Sequence, residues 1–212
     1  MDIILFGMQG SGKGTQGKYI AQRYDLKIFD TGSQLRKLSQ EQSSLADKVR
    51  KIMEEGRLVP TEVVMEIIEN FINENKSGVI FDGIPRSVDQ AEKFNQLINK
   101  HNRKIKGIFI ELTEKEAIKR LSTRRMCPTC KSIFPQAYTS NYCVKCQDTK
   151  LITRTDDNLE SIKTRLQTYN KETVPVIKTY ESTGILNRIS GEQKIEKVSQ
   201  DIFEILDPIM KK

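Results

Sequence analysis

A glycine-rich stretch near the start of the chain carries the strongest chemical signal. It reads Gly7-Met-Gln-Gly10-Ser-Gly12-Lys13-Gly14-Thr15 and directly follows a short apolar run. Glycines let the backbone wrap closely round a phosphate with its amides turned inward, and the N-terminus of a following helix adds its positive end. A lysine here reaches the terminal phosphates of a triphosphate, although the hydroxyl of Thr15 comes one residue later than in the strict phosphate-loop pattern. The stretch predicts a nucleoside triphosphate site.

Asp82 ends a second apolar run, Val79-Ile-Phe. If this run is a strand of an open parallel sheet, the carboxylate lies at the edge where such sheets bind ligands. Mg²⁺ keeps most of its hydration and takes few protein ligands, and carboxylates are among them. Asp-Gly is also a common turn, but beside a phosphate loop a magnesium role is the favoured interpretation.

Arginines form a second group of candidate residues. Arg120 and Arg124 are four residues apart in a predicted helix, where like charges repel unless an anion lies beside them. Guanidinium groups bind phosphates with paired hydrogen bonds, and two bound nucleotides bring several negative charges. For any one arginine, a solvated surface role fits equally well. The further candidates for the same cavity are Arg36, Arg86, Arg154 and Arg165.

All four cysteines lie in one short segment, at Cys127, Cys130, Cys143 and Cys146. Two C-x2-C pairs in a chain without a secretory signal favour a metal site over disulfides, because cytosolic thiols are kept reduced. Zinc is the first choice, and iron fits the same thiolates. Four thiolates leave no open coordination position, so the ion is expected to be structural.

Composition limits the class of protein. The chain has 212 residues, of which 37% are hydrophobic and 30% charged, and its net charge of +7 favours an anionic partner without identifying one. The longest apolar stretch, Ile3 to Met8, is too short to span a bilayer, and no basic region precedes it. We therefore expect neither membrane insertion nor secretion, and a cytoplasmic location.

Strand and helix patterns alternate along most of the chain. Strands are predicted at 2–6, 27–30, 78–82, 105–112 and 184–189, and helices at 13–24, 87–100, 114–125 and 192–206. This alternation specifies an α/β fold with a parallel sheet covered by helices on both faces. Two stretches interrupt it: residues 31–75 are helical in pattern, and residues 126–157 form a β-rich module around the cysteines.

Several blocks of residues resemble the adenylate kinases of the long, bacterial-type form, almost end to end and in the same order. The GKGTQ and DGxPR blocks together are specific to nucleoside monophosphate kinases. Gln9, Ser33 and Ile84 differ from the proline, acidic residue and aromatic that are common in the family. The matching blocks are Gly7 to Gln16, Thr31-Gly32 with Leu35-Arg36, Asp82 to Arg86 followed by Gln90, Arg120 with Arg124-Arg125, and Arg154 to Asp157 with Arg165.

The resemblance implies a P-loop NTPase-like fold with a five-stranded parallel sheet and a reversible reaction in which MgATP and AMP give two ADP. It also implies a core of residues 1–29, 60–125 and 158–212, an AMP-binding helical segment at 30–59, and an inserted lid at 126–157 that binds structural zinc through the four cysteines. The expected partners are ATP, AMP and ADP, with no nucleic acid and no membrane, and the chain is expected to be a monomer.

Site residues follow from the same resemblance. ATP would be held by Gly10, Ser11, Gly12, Lys13, Gly14, Thr15, Arg120 and Arg124, with Arg120 against the base, and Mg²⁺ by Thr15 and Asp82. AMP would be held by Thr31, Gly32, Arg36, Arg86, Gln90, Arg154 and Arg165. The catalytic group would be Lys13, Arg86, Arg124, Arg154 and Arg165, and no general base is needed because phosphoryl transfer depends on positioning and charge stabilisation.

Two other functions fit parts of the sequence. A kinase of the same class that accepts UMP or CMP would share most of these residues. A zinc-ribbon protein that binds nucleic acid would fit the basic charge and the cysteine pairs. The nucleic-acid interpretation leaves the phosphate loop, Asp82 and the DGxPR block unexplained.

Overall fold

The computed structural model describes residues 1–210, and its centre is a parallel sheet of five strands. In the order β2-β3-β1-β4-β7, the sheet comprises β2 (Lys27–Asp30), β3 (Val79–Asp82), β1 (Asp2–Phe6), β4 (Ile105–Glu111) and β7 (Leu186–Ser190). The central strand β1 is buried along its whole length, which explains why its sequence is a continuous apolar run. The predicted five-stranded parallel sheet is confirmed.

Helices cover both faces of the sheet. Along β1, Ile3 and Leu5 face the side covered by α1 and α9, whereas Ile4 and Phe6 face the larger core under the remaining helices. This alternation gives each face its own apolar layer. The helices are α1 (Lys13–Tyr24), α2 (Thr31–Leu38), α3 (Ser44–Glu54), α4 (Thr61–Glu74), α5 (Val88–Lys100), α6 (Glu114–Thr123), α7 (Leu159–Thr168), α8 (Val174–Ser182) and α9 (Ile195–Met210).

The connection between α7 and α8 was not predicted from the sequence. A π-helical turn, Tyr169–Thr173, joins the two helices, so that residues 159–182 run as one continuous helical segment. π-helical turns occur frequently at functional sites. Tyr169 and Thr173 are both buried here.

The helix predicted over 114–125 ends two residues early. It stops at Thr123, and Arg124 has an extended backbone with ψ of 132°. Arg125 then starts the short strand β5 (Arg125–Met126). Arg120 and Arg124 therefore do not share a helix face. The prediction that their four-residue spacing places both on one face of a helix was wrong.

The cysteine segment folds as a small β-rich unit, as predicted. Strand β5 pairs antiparallel with β6 (Ile133–Phe134), and an isolated bridge joins Met126 to Ile152. A small core forms round Phe134 and Leu151 together with the cysteines. The exact boundaries predicted for the lid stay a prediction. Within residues 1–210, no helix is both long and apolar enough to cross a membrane.

Candidate active site and metal centre

The glycine-rich stretch forms a tight loop between β1 and α1. The Ser11 amide donates to the Met8 carbonyl at 3.2 Å, which closes a turn, and Gly10 within it has a φ of 86°. A side chain at Gly7 would place its Cβ 2.5 Å from the carbonyl oxygen of Ile110. Gly12 caps α1 in the left-handed conformation. The glycines are therefore required by backbone shape and by close packing.

Lys13 folds back over this loop. Its Nζ donates to the carbonyl oxygens of Gly7 at 2.6 Å and Met8 at 2.9 Å. Burial lowers the pKa of Lys13 to about 8, and the nearby Asp82 carboxylate opposes part of that shift. The ammonium group is poised above a loop whose helix N-terminus favours anions.

Asp82 lies beside the start of α1, as its place at the end of β3 predicts. A Cβ built on Gly14, the residue before Thr15, would be 3.5 Å from Asp82 Oδ2. The Thr31 hydroxyl donates to the Asp82 carbonyl at 3.1 Å. Burial raises the pKa of Asp82 to about 6, and Lys13 opposes this rise. The loop, the lysine and the carboxylate thus occupy one edge of the sheet.

One cavity lies beside this edge, and all seven residues predicted to hold AMP line it. The cavity is mostly polar on the side of the arginines and apolar where Leu35, Val59 and Val64 contribute. A cavity that combines apolar side chains with several cations suits a flat base joined to a phosphate. The seven residues are Thr31, Gly32, Arg36, Arg86, Gln90, Arg154 and Arg165.

Arg86 is fixed by groups on three segments. Its Nε donates to the Gly83 carbonyl at 2.7 Å, and its backbone amide donates to Gln90 Oε1 at 2.9 Å. Its carbonyl accepts from the Thr173 hydroxyl at 2.8 Å, so the π-helical turn also holds it. Burial lowers the pKa of Arg86. Among the described residues, no carboxylate forms an ion pair with Arg86, and a half-buried cation of this kind is suited to an anionic ligand.

Two carboxylates that the sequence analysis left without a role hold the other arginines. Asp157 accepts two hydrogen bonds from Arg124, at 2.8 and 2.6 Å, and one from Arg165 at 3.1 Å. Asp156 accepts two from Arg154, at 2.9 and 2.6 Å. The side chain of Asp157 is completely buried. The sequence feature that could have indicated these ion pairs is the position of two adjacent aspartates between Arg154 and Arg165.

Arg36 and Arg120 lie at the margins of this arrangement. Arg36 donates to Ser33 Oγ at 3.1 Å, and its pKa is lowered mainly by burial and also by nearby Arg154. Arg120 pairs with Glu116 at 2.9 Å and lies 3.4 Å from the carbonyl oxygen of Gly10. Arg120 therefore contacts the phosphate loop but does not line the cavity.

The four cysteine sulfurs form a compact cluster in which all lie within 4.8 Å of one another. Cys130 Sγ and Cys143 Sγ are 3.6 Å apart, close to the roughly 3.8 Å expected between two thiolates of a tetrahedral zinc site. The amides of Cys130 and Cys146 point at the sulfurs of Cys127 and Cys143, at 3.5 and 3.4 Å. Thiolates with such partners can hold a metal ion, as the spacing predicted.

Comparisons with known proteins agree with this geometry. A family model described as adenylate kinase matches residues 5–185. An adenylate kinase of Staphylococcus epidermidis RP62A is 35% identical over 214 aligned positions, which cover 98% of this chain and 99% of the relative. An adenylate kinase of Staphylococcus aureus Mu50 shows the same identity and coverage.

Proposed function

This chain belongs to the adenylate kinase family, whose members convert ATP and AMP into two ADP, and on that premise we propose how its own residues carry the reaction. The observation that carries the proposal is the single cavity lined by Arg36, Arg86, Arg154 and Arg165 beside the phosphate loop. A loop for a triphosphate and a separate cationic pocket next to it are what a transfer between two nucleotides needs.

The ATP tail is held by the loop from Gly10 to Thr15. Lys13 now donates to carbonyls of its own loop, and bound phosphates would replace these neutral acceptors with charged ones, which form stronger hydrogen bonds. Thr15 and Asp82 would hold the Mg²⁺ that accompanies ATP, which neutralises phosphate charge when bound. Arg120 and Arg124 complete the ATP side, with Arg120 near the base.

AMP occupies the cavity, with its phosphate among the arginines and its base against the apolar side chains. Thr31, Gly32, Arg36, Arg86 and Gln90 all line the cavity, and the two arginines would bind the phosphate. The Oε1 atom of Gln90 already accepts a backbone amide, so its Nε2 is the end that remains to donate to an adenine ring nitrogen.

Transfer proceeds through charge stabilisation and exclusion of water. Lys13, Arg86, Arg124, Arg154 and Arg165 surround the phosphoryl group as its charge redistributes. The lid covers the site, because water in an open site would take the phosphoryl group and give ADP and free phosphate.

The ion bound by the cysteines is zinc, with iron as the alternative that the same thiolates accept. It is structural, since four thiolates leave no coordination position for a substrate. We expect the protein to act as a monomer in the cytoplasm on ATP, AMP and ADP, where its thiols stay reduced and available to the metal.

Replacing Lys13 with Ala tests this assignment. The variant should form ADP from ATP and AMP at least about a hundredfold more slowly, since the loss of a charged contact at the transferring phosphates removes several kcal/mol. Lys18, an exposed residue of the same helix, provides the matched control, because Lys18→Ala should leave the rate unchanged. Equal rates for both variants would contradict the proposal.

Acceptor choice is tested separately, with AMP, GMP, UMP and CMP at equal concentrations. AMP should react fastest because Thr31 and Gln90 line the cavity. A faster reaction with UMP or CMP would leave the phosphoryl-transfer assignment intact and overturn the assignment of AMP as acceptor.

A further inference from the structure

Gln9 occupies an unusual place between the two halves of the site. It belongs to the phosphate loop, yet its side chain lines the cavity together with Arg86, Arg154 and Arg165. The carbonyls on its N-terminal side, those of Gly7 and Met8, are the ones that Lys13 contacts. Gln9 therefore lies where the triphosphate tail and the acceptor pocket meet.

The side-chain oxygen of Gln9 has no hydrogen-bond partner among the described residues. Its Oε1 atom is buried, and no group within residues 1–210 donates to it. Buried amides in folded proteins almost always have a hydrogen-bond partner, and one without a partner at a ligand cavity indicates that the partner comes with the ligand. The two ends of an amide exchange by rotation, so the same position can present Nε2 as a donor.

Backbone geometry does not account for glutamine at this position. The bond from the Ser11 amide to the Met8 carbonyl makes Gln9 the second residue of a turn, and the φ of 86° at Gly10 is that of a type II turn. Proline is favoured at that second position. No hydrogen bond from the Gln9 backbone amide is found in the described part of the chain. Proline would support this turn at least as well as glutamine does.

We infer that the Gln9 side-chain amide donates a hydrogen bond to the phosphoryl group that passes between the two nucleotides. The inference rests on the proposed function, because it requires both nucleotides to be bound. The other side chains proposed to contact the transferred phosphoryl group are cations, and Gln9 adds a neutral side-chain donor. Such a donor orients the phosphate oxygens without adding to the repulsion among the arginines.

The test compares Gln9→Pro and Gln9→Glu with the wild-type chain in steady-state assays of ADP formation from ATP and AMP. Proline keeps the turn and removes the amide. We expect kcat to fall roughly tenfold to a hundredfold, as for loss of a hydrogen bond to a charged group, with both KM values nearly unchanged. The melting temperature should stay the same or rise, because proline suits this position.

Gln9→Glu keeps the size and backbone freedom of glutamine and replaces the amide with a carboxylate. It should lose at least as much kcat, since a carboxylate cannot donate and repels phosphate. If Gln9→Pro melts at a lower temperature than the wild-type chain, the kcat of Gln9→Glu is used to test the inference. A kcat within twofold of wild type in either variant overturns the inference. Absence of ADP formation by the wild-type chain overturns the proposed function instead.

Discussion

Asp157 is the residue on which the arginine arrangement most depends. Its completely buried carboxylate accepts hydrogen bonds from Arg124, which directly follows α6, and from Arg165 of α7. Removing one member of a buried ion pair leaves the other charge without compensation. We therefore expect Asp157 to have a positioning role, in which it acts on the phosphates through the guanidinium groups of Arg124 and Arg165.

Asp157→Asn should lower the free energy of unfolding by about 3–5 kcal/mol and also reduce kcat, because both arginines lose their charged partner. Urea unfolding and the ADP assay measure the two effects. Asp47→Asn is the control, since Asp47 pairs with Arg50 on the surface and its side chain is 71% exposed. If Asp157→Asn were as stable and as active as that control, Asp157 would not position the arginines.

The buried carboxyl of Asp82 should make the stability of the free protein depend on pH. Burial raises the pKa of Asp82 from 3.8 to about 6, so the folded chain binds more protons than the unfolded chain between these values. Stability contributed by this group is therefore present at low pH and is lost as pH rises towards 6.

Comparison of wild type with Asp82→Asn isolates this effect between about pH 4 and about pH 6, because the pKa of Lys13, which responds to Asp82, is about 8 and lies above that range. As pH rises from about 4 to about 6, the difference in free energy of unfolding should shift in favour of Asp82→Asn. Denaturant melts at three pH values across this range measure it. A constant difference would mean that Asp82 does not titrate in the folded chain with a raised pKa.

The lid is the element whose stability should depend on a bound metal. It has few apolar residues of its own, and the buried Cys127 and Cys143 form part of its small core. Such a small core rarely supports a fold without a metal or disulfides.

Chelation should therefore lower the melting temperature of the wild-type chain, and Cys127→Ser should lower it to a similar extent. Adding the chelator to Cys127→Ser should produce little further change, because the site is already incomplete. Metal analysis should find one ion per wild-type chain. A melting temperature that does not respond to chelator or substitution would contradict the metal site.

Elements defined by local pattern were predictable, whereas those defined by distant contacts were not. The five strands and the phosphate loop follow from short apolar runs and from glycines whose backbone requirements are local. The end of α6 at Thr123 does not follow from local pattern. Arg124 leaves the helix and pairs with Asp157, which lies 33 residues further along the chain. The roles of Asp156 and Asp157 were hidden for the same reason.

At the scale of the molecule, the carboxyl edge and the amino edge of the sheet carry different groups of charged residues. The carboxyl edge carries Lys13 and Asp82, whereas the amino edge carries a buried ion pair between Asp2 and Arg103. Asp2 also accepts the backbone amide of Val79 at 2.8 Å, and Arg103 donates to the Ser77 carbonyl at 2.6 Å. This pair joins the starts of β1 and β3 to the turn after α5.

Asp2→Asn should therefore lower the free energy of unfolding by about 3–5 kcal/mol, because Arg103 would stay buried without its charged partner. Below the melting temperature, kcat should be unchanged, since Asp2 lies at the edge opposite the cavity. Glu62→Gln, which removes an exposed partner of Lys93, is the stability control. A loss of kcat in the folded Asp2→Asn variant would show that the two edges are not independent.

The stoichiometry of the reaction tests the central claim most directly. With ATP, AMP and Mg²⁺ present, each ATP consumed should remove one AMP and produce two ADP, with no free phosphate, because we propose that the cavity holds the acceptor beside the triphosphate and that the lid excludes water. Production of one ADP and one phosphate per ATP, with AMP unchanged, would contradict it.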